Sequence, residues 1–359
     1  MRILITGAGG MIGAKLVRRL AGAGKLSGQA ITALDLVDLA APQAPEHFAG
    51  EVTTAGEDLS APGAADTWTR KKPDVIFHLA AVVSGEAEAD FEKGYRVNLD
   101  GARQIFDAVV REHKKSGGQY SPRVVFTSSI AAFGSPLPDV IEDDFLTAPL
   151  GSYGAQKVMC EVMINDYSRK GFFDGVSLRL PNICVRPGKP NAAASGFFSN
   201  IIREPLAGKE AVLPVEGSVR AWHASPRSAV GFLVTAAEAE LSSLGGRRAL
   251  NLPGVSATVA EQIEALRKIA GEKAVALIKA EPDENIARLV HSWPKAFNPV
   301  RALALGFTAE TNFEDIIRAH IEDEMGAESG AGSCSRRSNG APSSSIIMAI
   351  ASSMADMRT

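Results

Sequence analysis

The sequence predicts an α/β fold in which a doubly wound parallel sheet is followed by a smaller C-terminal α/β lobe. Three observations carry the prediction. Short, near-continuous apolar runs alternate with helical patterns through the first half, as in parallel sheets covered on both faces. A glycine cluster sits where the first apolar run meets the first helical stretch. After about Arg186 the alternation gives way to a different pattern. The 359 residues amount to about two domains at roughly 150 residues each. We expect a sheet domain over 1–185, a substrate lobe mainly over 186–325 with some segments returning to the first domain, and a tail over 326–359 that is disordered or extraneous.

The elements follow in order. Arg2–Thr6 reads as a buried strand, and Met11–Ala21 as a helix with Leu16, Val17 and Leu20 on one face. Ala30–Leu36 is the second apolar run, Asp74–Leu79 the third, Arg123–Ser128 the fourth and Gly175–Leu180 a further one. Asn98–Arg111 and Tyr153–Arg169 are the helices between them. Past the loop Pro187–Asn191, the pattern predicts helices over Ala192–Glu204, Ala257–Ala270 and Asn312–Glu324, with a strand at Val212–Val215. Beyond Gly326 the chain turns to Ser, Gly and Ala, and Ile346–Ile350 is its one sticky patch.

Composition excludes several functions. Lys plus Arg number 38 against 41 Asp plus Glu, so there is no basic stripe for nucleic acid. No run approaches the roughly 20 apolar residues of a membrane span, and the first apolar run is too short for a signal segment. Cys160, Cys184 and Cys334 have no metal-ligand spacing and cannot pair evenly, which points to a reducing, cytoplasmic compartment and to no metal.

Gly7, Gly10 and Gly13 are spaced Gly-x-x-Gly-x-x-Gly at the first strand–helix junction. Glycine there allows a tight turn, backbone approach to a pyrophosphate and close helix–strand packing. The helix start at Met11 and Ile12 offers free N–H groups to the anion. Asp35 is read as ending the second strand, where a carboxylate accepts the adenosine ribose hydroxyls and repels a 2′-phosphate, favouring NAD over NADP. Asp38 is the competing acid. Asp58 and Leu59 are placed to face the adenine, and the small residues of Leu79-Ala80-Ala81 to let a cofactor pass. His78 itself reads as a core histidine.

Tyr153 and Lys157 stand at i and i+4, on one helical face. A lysine charge near a phenol favours the phenolate and makes Tyr153 a usable general base. Lys157 can also reach ribose hydroxyls. Ser129 ends the strand upstream and can hydrogen-bond the reacting oxygen.

Together these residues resemble the extended short-chain dehydrogenase/reductases, over roughly residues 1–325. The resemblance rests on the glycine motif, Asp35, Asp58, His78–Ala81, Asn98, Ser129, Tyr153 and Lys157. It implies a Rossmann-type domain, a small C-terminal substrate lobe, and a Ser–Tyr–Lys set that handles the proton while NAD takes a hydride. It adds Asn98 to the cofactor residues and implies a homodimer built on the Tyr/Lys helix. Pro181 and Ile183 are expected to meet the amide end of the nicotinamide through backbone atoms. The stretches Arg179–Ser195 and Ala221–Arg227 resemble dehydrogenases of small sugar acids within the family. Ala80–Glu86, with Ser84, is similar to the substrate loop of short-chain L-threonine dehydrogenases.

The expectation is NAD-dependent oxidation of a secondary alcohol on a small hydroxy acid. Arg186 would fork the carboxylate, and Ser84, Ser129 and Ser195, with Tyr153, would line the substrate. The alternative is a sugar-nucleotide epimerase or dehydratase with tightly held NAD. Members of that kind commonly carry Tyr-Gly after the serine motif and an Asp pair near the lobe junction, where this chain has Phe133-Gly134 and Pro226-Arg227. A redox-sensing protein without catalysis is the non-enzyme alternative, and the presence of both Tyr153 and Lys157 argues against it.

Overall fold

The computed structural model describes residues 1–188 and 195–326. Two compact units emerge. The first comprises Met1–Pro181, Ser228–Pro253 and Ala296–Thr308; the second comprises Asn182–Arg227, Gly254–Lys295 and the chain from Ala309. The chain thus first leaves the sheet unit at Pro181 and returns to it twice. The expected tail beyond Gly326, with Cys334 and Ile346–Ile350, lies outside the described residues, as do Ala192, Ala193 and Ala194.

The first unit is built on strands β1 (Arg2–Thr6), β2 (Ala33–Asp38), β3 (Glu51–Gly56), β4 (Val75–His78), β5 (Arg123–Ser129) and β6 (Asp174–Leu180). A short strand at Ala249–Asn251 closes one edge, and the sheet order is that strand, β6, β5, β4, β1, β2, β3. All neighbours are parallel. The chain winds outward from β1 in one direction, then restarts at β4 in the other. Ligands of such sheets bind outside the strand ends at that reversal. The predicted doubly wound, Rossmann-type sheet is therefore present.

Its helices include α1 (Met11–Ala23), α2 (Ser84–Ala89), α3 (Gly101–Lys115) and α4 (Ser152–Arg169). Leu16, Val17 and Leu20 are the buried face of α1, as the helical period predicts. Ile76, Val124 and Phe126 from the sheet pack with Ile105, Phe106 and Val109 of α3 and Cys160 and Ile164 of α4. A π-helical segment, Tyr95–Asp100, runs directly into α3.

In the second unit, Asn182–Ile183 pairs in parallel with Arg220–Ala224, which pairs antiparallel with Val255–Thr258. The predicted helices occur as α5 (Gly196–Leu206), α6 (Val259–Val275) and α7 (Phe313–His320). Thr258 and Glu261 form a reciprocal capping box at the start of α6, and Asn312 caps α7. Phe198, Ile201, Leu266, Ile316 and Ile317 fill this unit's own core. The strand expected at Val212–Val215 is Ala211–Leu213, paired with Ile278–Ala280. Among the described residues, no helix is long and apolar enough to cross a membrane.

Candidate active site

A cleft of about 200 Å³ opens in the first unit at the sheet reversal, lined by Gly7, Gly10, Asp38, Leu39, Asp58, Leu59 and the run His78–Val82. The glycines explain its shape. Gly7 has φ +72°, and a Cβ there would lie 2.6 Å from the Ala80 nitrogen, so any side chain would push β1 and β4 apart. A Cβ on Gly13 would lie 2.1 Å from the Gly7 carbonyl oxygen, so this glycine lets α1 press on the turn. Gly10 differs, since its Cβ would meet Gly7 O at 3.3 Å and nothing else within 4 Å. Its open side leaves the approach to the turn clear. No side chain caps α1, so the first-turn N–H groups at Met11, Ile12 and Gly13 have no intrahelical acceptor and can receive an anion.

The acid at the rim is Asp38, which corrects the expected role of Asp35. The second strand ends at Asp38, so Asp35 lies in its middle, opposite Leu4 of β1. Asp35 is 1% exposed. Arg2 Nη1 donates to both its oxygens at 3.1 and 2.9 Å, and Lys71 Nζ donates at 2.7 Å. A buried carboxylate with two cationic partners is a structural pair, with no face left for a ribose. Asp38 instead accepts from the Gly9 N–H at 2.9 Å and the Leu39 N–H at 2.7 Å. Carboxylate oxygens have further lone pairs for ribose hydroxyls. The misreading came from Ala30 and Ile31, whose apolar character moved the predicted strand toward the N-terminus; Ala30 belongs to a separate small hairpin.

Asp58 and Leu59 line the cleft. Asp58 also accepts from Ser60 Oγ at 2.6 Å and from Arg96 Nη1 at 2.7 Å. The Ser60 bonds and the nearby Arg96 hold its carboxyl below the usual range against a modest burial cost. His78 is a buried histidine whose Nδ1 meets Thr6 Oγ1 at 2.7 Å. Burial, aided by the Lys157 charge, pushes its pKa down to about 3. Its Nε2 is buried without a partner.

Asn98 also differs from expectation. Its Oδ1 accepts from the Val82 N–H at 2.8 Å, and its Nδ2 donates to the Val82 carbonyl at 3.1 Å and to Gln156 Oε1 at 2.7 Å. The side chain is spent on bracing the turn after β4, in place of the cofactor contact the resemblance implied. The π-helical turn carries it inward. Gln156 was missed by sequence reasoning, although it sits between Tyr153 and Lys157. The signal available was an amide at i+3 from the tyrosine, on the buried side of α4.

Tyr153 and Lys157 lie in the first two turns of α4. Lys157 is 1% exposed, and its Nζ donates to the Thr127 carbonyl at 2.8 Å. The ammonium stands 4.7 Å from the Phe126 ring centre and 5.5 Å from that of Tyr153. Burial pushes its pKa down to about 8, with Cys160 and Glu161 opposing the shift. Gly154 allows α4 to dock here, because a Cβ would lie 2.1 Å from the Ala131 carbonyl oxygen. Ser129 ends β5, and its Oγ accepts from the Ala131 N–H at 3.1 Å. Its own proton is thus available to another acceptor. Ser84 opens α2 and is exposed.

Pro181 closes the first unit, while Ile183, Arg186 and Ser195 belong to the second. Arg186 Nε donates to the Ile183 carbonyl at 2.9 Å and Nη2 to Ser195 Oγ at 2.9 Å. The Arg186 carbonyl receives Arg203 Nη1 at 2.7 Å. The first two bonds hold the guanidinium against its own loop. Among the described residues, no group of three or more His, Cys, Asp or Glu could hold a metal ion.

The fold and the glycine turn define a dinucleotide-binding protein, and comparison with known proteins makes the class specific. The pattern of the NAD dependent epimerase/dehydratase family matches residues 3–239. The chain belongs to this family, and NAD is its cofactor. The residues fit that group: a cradle open at Gly10, uncapped N–H groups on α1 and the Asp38 carboxylate. The chain is 47% identical to D-erythronate dehydrogenase of Cupriavidus necator over 327 residues, covering 90% of this chain and 98% of that protein. It is 41% identical to D-erythronate dehydrogenase of Haemophilus influenzae, covering 90% of this chain and all of that protein. A crystal structure described as a nucleoside-diphosphate-sugar epimerase from Agrobacterium tumefaciens superposes with a TM-score of 0.89 at 61% identity, covering 91% of this chain and 95% of that one. An L-threonine dehydrogenase from Cupriavidus necator shares the fold, with a TM-score of 0.75 at 21% identity.

Proposed function

We propose that this protein oxidises a secondary hydroxyl of a small sugar acid, D-erythronate to 2-keto-D-erythronate, with NAD. The observation that carries the substrate is its likeness to two D-erythronate dehydrogenases over nine-tenths of its length. In this reading Tyr153 takes the hydroxyl proton. Ser129 turns its free O–H to the reacting oxygen and holds it in line. The buried Lys157 ammonium favours the Tyr153 phenolate. NAD, when bound, supplies the hydride acceptor. Asp38 holds the adenosine ribose, and Arg186, fixed by Ile183 and Ser195, takes the substrate carboxylate.

The name attached to the Agrobacterium structure gives the second reading, epimerisation of a nucleotide sugar. Phe133-Gly134 and Pro226-Arg227 stand where such enzymes commonly carry Tyr-Gly and an Asp pair, which favours the sugar acid. A panel of four-carbon sugar acids and nucleotide sugars, followed at 340 nm, decides. NADH should accumulate with D-erythronate and with no nucleotide sugar. Release of an epimerised nucleotide sugar without net NADH overturns the proposal.

We place the enzyme in the cytoplasm, in keeping with buried free thiols at Cys160 and Cys184. A homodimer fits α4, whose apolar Val162 is 61% exposed.

A further inference from the structure

Glu161 lies one turn beyond Lys157 on α4 and is 3% exposed. Its Oε1 accepts from Ser128 Oγ at 2.5 Å and from Arg179 Nε at 2.9 Å, and its Oε2 accepts from Arg179 Nη2 at 2.7 Å. Arg179 Nη1 continues to Asn251 Oδ1 at 3.1 Å. The guanidinium also lies 4.8 Å from the Phe133 ring centre. Ser128 is 2%, Arg179 8% and Asn251 1% exposed, so the whole chain of bonds is out of water.

Each partner borders the reacting edge. Ser128 directly precedes Ser129. Thr127, one residue earlier, receives Lys157 Nζ. Arg179 lies two residues before Pro181 on β6. One carboxylate therefore ties the ends of β5 and β6 to the helix carrying Tyr153 and Lys157. Apolar side chains could join these elements as firmly, and a buried ion pair is weak evidence for stability. What it adds is direction. A bidentate fork fixes both the angle and the register of its partners.

We infer that Glu161 is a positioning residue that sets Ser129 against Tyr153 and Lys157 through Ser128 and Arg179. The inference rests on the catalytic reading of those three residues. Misplacing a reacting group by an ångström costs on the order of a hundredfold in rate, so the brace should be visible in turnover.

The charged and titratable groups around Lys157 are Tyr153, Cys160 and Glu161 on α4 and His78 from β4, with Arg179 from β6 reaching it through Glu161. Glu161 supports the lysine cation. Removing its charge should therefore ease proton loss from Lys157, whereas removing the Ser128 hydroxyl changes no charge.

The test uses the full chain with whichever four-carbon sugar acid drives NAD reduction. Ser128→Ala, Glu161→Gln and Tyr153→Phe are compared for kcat, both KM values, melting temperature and pH profile. Ser128→Ala should lower kcat roughly tenfold or more, with KM for NAD and melting temperature near the parent values. Glu161→Gln should also move the alkaline limb of kcat/KM to lower pH, and Ser128→Ala should not. If Glu161→Gln fails to fold, the doubly neutral Glu161→Gln/Arg179→Met replaces it and should fold with lowered kcat and the same alkaline shift. Full turnover in Ser128→Ala with turnover lost in Tyr153→Phe overturns the positioning inference alone. Full turnover in both overturns the catalytic reading and the inference with it. A parallel fall of kcat, NAD affinity and melting temperature in Ser128→Ala reduces Glu161 to a structural ion pair.

Discussion

The Asp38 carboxylate accepts the backbone N–H of Gly9 at 2.9 Å, so the acid at the end of β2 is held by the glycine turn that lines the cleft. Cofactor choice follows from this bond. The carboxylate is fixed at the cleft rim with lone pairs to spare, and it would repel a 2′-phosphate. Asp38→Ser should raise KM for NAD about tenfold or more, the loss of one or two charge-assisted hydrogen bonds, and should raise kcat/KM for NADP. Asp35→Asn should leave the NAD/NADP ratio unchanged and lower the melting temperature, because Arg2 and Lys71 lose their shared anion. A cofactor switch in Asp35→Asn with none in Asp38→Ser would reverse the assignment.

Tyr153→Phe keeps the ring and removes the ionisable hydroxyl. Turnover should fall roughly 10²-fold or more, the scale of general acid–base catalysis. The dissociation constant for NAD, measured by fluorescence titration, should stay within about twofold, since Asp38 and the glycine turn are untouched. Near-parental turnover moves the chemistry away from Tyr153.

The parallel sheet was legible because its strands are continuous apolar runs and its first turn needs glycine at particular positions. Lys157 beside Tyr153 was legible for the same kind of reason, since helical spacing fixes neighbours locally. Asp35 was misread because strand ends are weakly encoded. A charged residue mid-strand looks like an end until Arg2 and Lys71, distant in sequence, are seen to neutralise it. Asn98 was placed on the cofactor by resemblance, yet its bonds to Val82 and Gln156 are tertiary. Glu161 stands at i+4 from Lys157, but its hydrogen-bond partners Ser128 and Arg179 come from β5 and β6 and are not fixed by helical spacing.

The Asn98 brace predicts a second variant. Asn98→Leu leaves the Val82 N–H and carbonyl and the Gln156 amide without their partner. Each buried orphan costs about 1–3 kcal/mol, so chemical denaturation should show a clear loss of stability. NAD should bind more weakly, because the turn after β4 lines the cleft. Gly94→Ala offers a check that leaves Asn98 in place. Its methyl would lie 2.7 Å from Gln156 Nε2, and the same weakening of NAD binding should appear in milder form. Unchanged NAD affinity in both variants would reduce the pair to packing.

Two buried histidines contribute to the acid side of the stability curve. Burial pushes His78 and His223 down to about 3, with the charges of Lys157 and Arg186 adding to the respective shifts. The unfolded chain binds protons at these sites near pH 6.5, while the folded chain refuses them until about pH 3. Stability from both groups is therefore complete above pH 6.5 and is lost as pH falls from there toward 3. His78→Asn should flatten that part of the curve, seen as a smaller drop in melting temperature between pH 7 and pH 4. A drop as steep as the parent's would show that His78 does not take up a proton on unfolding.

The substrate carboxylate gives the last test. Arg186 is held by the Ile183 carbonyl and Ser195 Oγ, so its fork is preorganised and little side-chain freedom is lost when an anion docks. Arg186→Ala should raise KM for the sugar acid by about tenfold or more, in line with loss of a charge-assisted pair. The dissociation constant for NAD should be unchanged, because the cleft lined by Gly10, Asp38 and Asp58 lies wholly in the first unit. Arg186→Lys keeps the charge and loses the planar fork, so it should recover only part of the KM. Ser195→Ala, which removes one support of the guanidinium, should fall between the parent and Arg186→Ala. The four-carbon polyol acid should also beat its deoxy analogue in kcat/KM by far more than one methylene would give, because a site built for hydroxyls leaves polar groups unpaired when they are missing. A KM for the acid that does not move in Arg186→Ala, or a loss of NAD binding alongside it, would take the anchor away from Arg186. Arg220 and Arg227 would then be the next to test. Arg227 is already engaged by Glu322 and Asp323, and Arg220 by Glu261, so either would have to break an existing ion pair to bind the acid.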